Sequence, residues 1–237
     1  MKKEDVQNKK LAADALAEKY GDIRVGVIKL TDEYKEALQN ADGGMLPPSP
    51  LVTKRLSGGL TIPLAEAIDS DMMYMKRCEA ELDETYLQPV MYVVATYGEL
   101  NAEDKIFCMH RIGKLGDARL SGLYSIGVGG HVDEGEKLLD CFYRELKEEV
   151  GVTRDDISST KRMGYIYDRS TAIGRVHLGV VYAIRLKHGD VAVAEPDKLR
   201  GEWITKEQLA QLRIRDQMET WSNICADMIL EKNPNEV

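Results

Sequence analysis

Cysteine is scarce and scattered: Cys78, Cys108, Cys141 and Cys225 are the four in 237 residues, and no two form a CxxC pair. That spacing excludes a zinc ribbon, and so large a chain with so few cysteines is not a disulfide scaffold. Free thiols acting as small hydrophobes are expected instead. Aromatics make up only 6%, with two Phe and two Trp, so the core must be mainly aliphatic. No apolar run approaches the ~20 residues a membrane-spanning helix needs; the longest lie near Val90–Ala95 and Gly179–Ile184. The opening, MKKEDVQNKKLAADALAEKYGD, lacks the apolar centre of a secretory signal. Basic runs are missing too, 32 Lys and Arg standing against 40 Asp and Glu for a net charge of -8. Binding to duplex nucleic acid by phosphate attraction needs a concentrated cationic surface, so that class is not expected. A small phosphorylated ligand held through a divalent cation stays open, because the ion's charge dominates an acidic site. The setting read from these absences is soluble, reducing and cytoplasmic, with no membrane partner.

What is present suits an ordinary globular protein, with 43% hydrophobic and 30% charged residues. Helix is expected over Lys3–Tyr20, a strand over Ile23–Leu30 and a second helix over Asp32–Asn40. GGMLPPSP follows, where Gly43, Gly44, Pro47, Pro48 and Pro50 predict a loop without regular structure. Leu64–Leu82 is predicted as one helix. From about residue 86 the pattern becomes strand-rich: Pro89–Tyr97 and Lys105–Arg111 flank a polar turn, and Ser125–Gly130 is a short extended piece. A helix over Glu136–Val150 precedes strands over Arg162–Tyr167 and Val176–Leu186. Thr205 and Gln208 have capping-box spacing at the start of a short helix, and a last helix is placed over Asp216–Glu231. The fold class is therefore α/β (α+β). The expected division is residues 1–85 as an N-terminal extension and 86–237 as the main domain.

The richest stretch is GHVDEGEKLLDCFYRELKEEVGV, Gly130 to Val152. At about 100° per residue, Leu139, Phe142, Leu146 and Val150 form an apolar stripe. Glu145, Glu148 and Glu149, at i, i+3 and i+4, are placed on the opposite side with their carboxylates converging on one patch. Like charges so close repel, and a hard divalent cation removes that difficulty. Arg144, one turn before Glu148, is spaced to orient that carboxylate. Gly129–Gly130 lets the backbone turn tightly beside the cluster.

The stretch resembles the Nudix box: G, five residues, E, seven residues, then R-E-aliphatic-x-E-E-x-G-aliphatic. Gly130, Glu136, Arg144, Glu145, Leu146, Glu148, Glu149, Gly151 and Val152 match every constrained position. A chance match in such a chain is on the order of one in ten million. The resemblance extends loosely over residues 86–215, including the Glu202-Trp203 pair before a short helix, and leaves residues 1–85 outside.

The resemblance implies an α/β/α sandwich with a mixed sheet that hydrolyses the diphosphate of a nucleoside diphosphate derivative with Mg²⁺, Mn²⁺ being an alternative. It implies Glu145, Glu148, Glu149 and the Gly129 carbonyl as metal ligands, with Glu195 or Asp197 adding an acid from a later loop. Glu145, Glu149 and Arg144 form the candidate catalytic set, and Arg111 is placed to reach a phosphate. His131 stands at a position that the pattern leaves free. Arg162–Ala172 carries no substrate mark of the coenzyme A, NADH or ADP-ribose hydrolases, and Tyr165 and Tyr167 are read as core tyrosines. The competing reading is a Nudix-fold nucleotide sensor that no longer cleaves; such proteins have eroded boxes, and this one is complete. An isopentenyl diphosphate isomerase would need an altered box and a differently placed cysteine than Cys141. The N-terminal extension is expected to pack on the main domain and to favour a homodimer.

Overall fold

The computed structural model describes residues 3–39, 41, 44–46, 53–55, 61–98, 103–112 and 121–231. In chain order, α1 (Lys3–Tyr20), β1 (Arg24–Lys29), α2 (Asp32–Leu38), β2 (Gly44–Leu46), the pair β3 (Thr53–Arg55) and β4 (Thr61–Pro63), α3 (Leu64–Asp71), β5 (Met73–Lys76) and α4 (Arg77–Ala80) come first. Then follow β6 (Tyr86–Tyr97), β7 (Lys105–Arg111), β8 (Tyr124–Ser125) and α5 (Leu138–Val150). The rest is β9 (Ile157–Tyr167), β10 (His177–Leu186), β11 (Leu199–Ile204), α6 (Lys206–Ile214) and α7 (Thr220–Glu231).

β6 is the axis of a mixed sheet with the order β11-β7-β6-β10-β9-β2, to which β1, β5 and β8 attach. Its alternation explains the layering. Met91, Val93 and Ala95 enter one core with Leu138, Phe142 and Leu146 of α5, whereas Tyr92 and Val94 enter a second with Cys225 and Ala226 of α7. Side chains of a strand alternate between faces, so a strand buried on both sides needs an apolar run like this one. β10 runs parallel to β6 with residues 177–185 against 88–96, and alternates in the same way. Trp221 of α7 lies against Gly179, where a Cβ would crowd its ring, and meets Tyr92 edge-on at 5.8 Å. The result is the expected α/β/α arrangement around a mixed sheet. Among the described residues, no helix is long and apolar enough to cross a membrane.

The N-terminal elements share the first of these cores. Ile28 of β1, Tyr34 and Leu38 of α2, and Leu64, Ala67 and Ile68 of α3 are buried together with residues of β6, α5 and β10. β1 pairs with β5 on one side and with the start of β6 on the other.

Two expected elements differ from the structure. The helix foreseen over Leu64–Leu82 is broken: the chain leaves α3 at Met72 (φ -58°, ψ 126°), and Met73–Lys76 becomes β5, hydrogen-bonded to β1. Tertiary pairing overrides local propensity there. Gly44–Leu46, foreseen as loop, is β2, paired with β9 opposite Tyr165–Tyr167. Gly164 permits this approach, its φ being 151° and a Cβ there colliding with the Leu46 carbonyl oxygen. Gly43, Pro47, Pro48 and Pro50 lie outside the described residues.

Candidate active site

The segment before α5 is fastened on both sides. Along β6, Val128 pairs with Val93 and the Met91 N–H donates to the Gly130 carbonyl at 2.9 Å. Along β1, the Gly26 N–H donates to the Val132 carbonyl at 2.7 Å. Gly129 has φ 146°, and a Cβ there would run into the Met91 carbonyl oxygen. A Cβ on Gly130 would strike the Glu145 carboxylate. The paired glycines therefore let the backbone lie directly on β6 and on Glu145.

α5 is capped both from outside and from its own first turn. The Leu138 N–H donates to Asp69 of α3 at 2.9 Å, and the Lys137 N–H to Asp140 at 3.1 Å. The Tyr74 hydroxyl donates to the Glu136 carbonyl at 2.9 Å. At the other end Gly151 is left-handed (φ 68°), and the Val152 N–H reaches back to the Leu146 carbonyl at 3.1 Å, a Schellman closure.

The carboxylates do not sit opposite the apolar stripe. α5 buries Leu138, Cys141, Phe142, Glu145, Leu146 and Val150, while Leu139 is 58% exposed. The helix packs through a sector shifted toward Glu145 and Glu149, because those residues face the glycine segment rather than solvent. Glu145 is only 9% exposed, and Glu149 Oε2 accepts the Gly129 N–H at 3.1 Å. Glu148 stands at the rim, exposed. Burial raises the Glu145 carboxyl above its ordinary range while Arg144 opposes. Burial likewise pushes Glu149 up to about 7, with the Gly129 N–H opposing and the Glu145 charge adding to the rise.

Arg144 organises the cluster. Its Nε and Nη2 grip both oxygens of Glu136, at 2.7 and 2.9 Å. Nη1 donates to Glu145 at 2.7 Å and to Glu148 at 3.3 Å, and Nη2 also donates to the His131 carbonyl at 2.9 Å. These hydrogen bonds hold Glu136 below its ordinary range. One guanidinium thus ties three box glutamates to the segment that precedes the helix.

Arg111, at the end of β7, is paired with Glu219, and the charges of both act on Glu149. Glu219, just before α7, is a candidate that the sequence reading missed; an acid at a helix start was the only signal, and no motif links it to the box. Glu195 arrives on a segment whose Ala194 N–H donates to the Glu149 carbonyl at 2.9 Å, but its side chain pairs with Lys198. Asp197 is exposed. Tyr165 and Tyr167 are buried in the core. All four cysteines are free thiols.

This geometry meets an independent finding: the NUDIX domain model matches residues 91–223. The chain belongs to the Nudix family. Protein YmaB of Bacillus subtilis (strain 168) is 34% identical over 170 residues, spanning 68% of this chain and 80% of that protein. The crystal structure of Tm1382, described as a Nudix hydrolase, superposes with a TM-score of 0.66 at 28% identity, covering 87% of this chain and 98% of that one. A likeness of that extent reaches beyond the matched NUDIX segment into the N-terminal elements. Family membership makes the chain a Nudix pyrophosphohydrolase, a class that generally works with divalent metal ions, and the box helix is its α5.

Proposed function

We propose that the protein hydrolyses the diphosphate linkage of a nucleoside diphosphate derivative in a reaction that depends on Mg²⁺. The observation that carries this reading is the buried Glu145, held by Arg144, beside the half-buried Glu149, which is aimed at the glycine segment. Two carboxyls that desolvation raises above their ordinary range are costly for the protein alone, and a hard cation among them relieves both charge and desolvation.

The donors fit such an ion, all being oxygens: Glu145, Glu148 and Glu149, with the Gly129 carbonyl beside them. The ion would neutralise diphosphate oxygens and stabilise the leaving phosphate. The chain's own groups do the rest. Glu145 or Glu149 takes the proton from the attacking water, and the raised carboxyls make better bases at neutral pH than exposed ones. Arg144 does not touch substrate in this reading; it keeps Glu136, Glu145 and Glu148 in register, which makes it a positioning residue. Arg111 can exchange Glu219 for a substrate phosphate. Glu195 can join the site by releasing Lys198. Residues 1–85 act as a buttress to the catalytic unit 86–237, through Asp69 and Tyr74 on the approach to α5.

Phosphate release from a panel of nucleoside diphosphate derivatives, read after phosphatase treatment with Mg²⁺, Mn²⁺ or EDTA, tests the proposal. Metal-dependent turnover of one compound class is expected. Glu149→Gln should keep the fold and lower kcat by at least ~10²-fold, as loss of a general base or metal ligand does. Failure of every compound, with tight binding of one, would make the protein a sensor instead.

A further inference from the structure

Apart from the box glutamates, three side chains with metal-binding chemistry meet from three distant segments. Glu81 follows α4, His131 lies between Gly130 and α5, and His177 opens β10. One ligand atom from each falls within 4.8 Å of the others. The two Nε2 atoms are 3.0 Å apart, and His177 Nε2 is 3.8 Å from Glu81 Oε1. The His177 and Glu81 side chains are 8% and 12% exposed. Sheet register brings the imidazoles together: His177 pairs with Gln88 and His131 with Val90, two residues apart on β6 and hence on one face.

Two further observations point to a ligand. His177 Nδ1 lies 2.8 Å from the Ile173 carbonyl, so Nδ1 carries the ring proton and Nε2 turns its lone pair toward His131 and Glu81. Metal-bound imidazoles are held in this way, by a second-nitrogen donation to a carbonyl or carboxylate. Gln88, fully buried on that same face beside His177, leaves its Oε1 without a hydrogen-bond partner among the described residues.

We propose that Glu81, His131 and His177 bind one zinc ion, at a site that uses none of the box glutamates and is independent of the reading given for them. Two imidazoles and a carboxylate suit Zn²⁺ and similar first-row ions, and discriminate against Mg²⁺, which prefers oxygen donors. Two Zn–N bonds at a tetrahedral angle set the nitrogens about 3.3 Å apart, a few tenths from the separation in the structure. The fourth position falls to water. Arg77 Nε reaches Glu81 Oε1 at a long 3.4 Å while its guanidinium lies over Tyr20, so the ion competes with a weak contact. The bound ion would clamp α4, β10 and the segment whose His131 carbonyl accepts from Arg144. Its role is therefore to stiffen the approach to the box helix.

The test uses the full chain, stripped with a chelator, desalted and titrated with ZnCl₂ or CoCl₂. Wild type and Glu149→Gln are each expected to retain one equivalent of zinc after desalting, and to show the intense visible absorption of tetrahedral cobalt. His177→Gln should lose both signals. Glu81→Gln, at the edge of the site and checked for an unchanged far-UV circular dichroism spectrum, should weaken zinc binding at least ~10-fold. Zinc should raise the melting temperature of Glu149→Gln and leave that of Glu81→Gln unmoved. Absence of stoichiometric zinc in wild type overturns the proposal. So does zinc that survives His177→Gln and Glu81→Gln but is lost in Glu149→Gln, since that ion sits in the box.

Discussion

At the scale of single residues, the glycines before α5 and the acid that closes a turn after it make opposite demands. Gly130 has no room for a methyl group because Glu145 fills it. Gly130→Ala should therefore displace that carboxylate and lower kcat by about 10²-fold, the usual cost of a misplacement near 1 Å. Circular dichroism should show the helix intact, separating a lost site from a lost fold. Asp156 accepts from the Thr153 hydroxyl and N–H and pairs with His188, contacts that hold its carboxyl down at about 2. A depressed carboxyl adds stability that is complete above the unfolded value near 4 and fades as pH falls toward 2. Urea unfolding should find Asp156→Asn less stable than wild type at pH 6, with the gap narrowing at pH 3. Residue spacing made the box glutamates, Arg144 and the glycine pair legible, because a fixed pattern constrains each. It could not reveal Glu219 or Asp69, which meet the site only through folding.

At the scale of elements, the box helix depends on a neighbour that the family match does not include. Asp69 of α3 accepts the Leu138 N–H, one of the donors that a helix start leaves unsatisfied. Asp69→Ala should cost about 1 kcal/mol, typical for a lost cap, and lower the melting temperature by about 2–4 °C. An unchanged urea midpoint would show that Asp140 or water replaces it. Elements whose signals are local were readable in advance. The Thr205–Gln208 capping box forms as its spacing indicated, with Thr205 N–H to Gln208 at 2.8 Å, and β7 spans the expected Lys105–Arg111. Elements defined by a partner were not. β5 carries helix-forming residues yet is captured by β1, and β2 exists because Gly164 lets β9 accept it. β11 was overlooked for the same reason: its Leu199–Ile204 run is held by β7 across the sheet edge. The helix face was misjudged because Glu145 and Glu149, though charged, face inward against the glycines.

At the scale of the whole molecule, Ile28 of β1 and the buried side chains of α2 and α3 share one core with the Nudix segment. A chain beginning near residue 86 would expose faces of β6, α5 and β10 that Ile28, Tyr34, Leu38, Leu64 and Ile68 now cover. Such a truncation is expected to lose its cooperative thermal transition and to bind a hydrophobic dye, and a sharp transition would show the segment self-sufficient. The β6–β10 ladder, joining residues 88–96 to 177–185, has a consequence for the order of events during synthesis. Contacts so distant along the chain close slowly, since the intervening loop must be ordered first. On the ribosome one long edge of β6 stays without its partner strand until β10 has emerged. The nascent chain spends that interval vulnerable to aggregation, and slowing translation before residue 177 should lower the soluble yield.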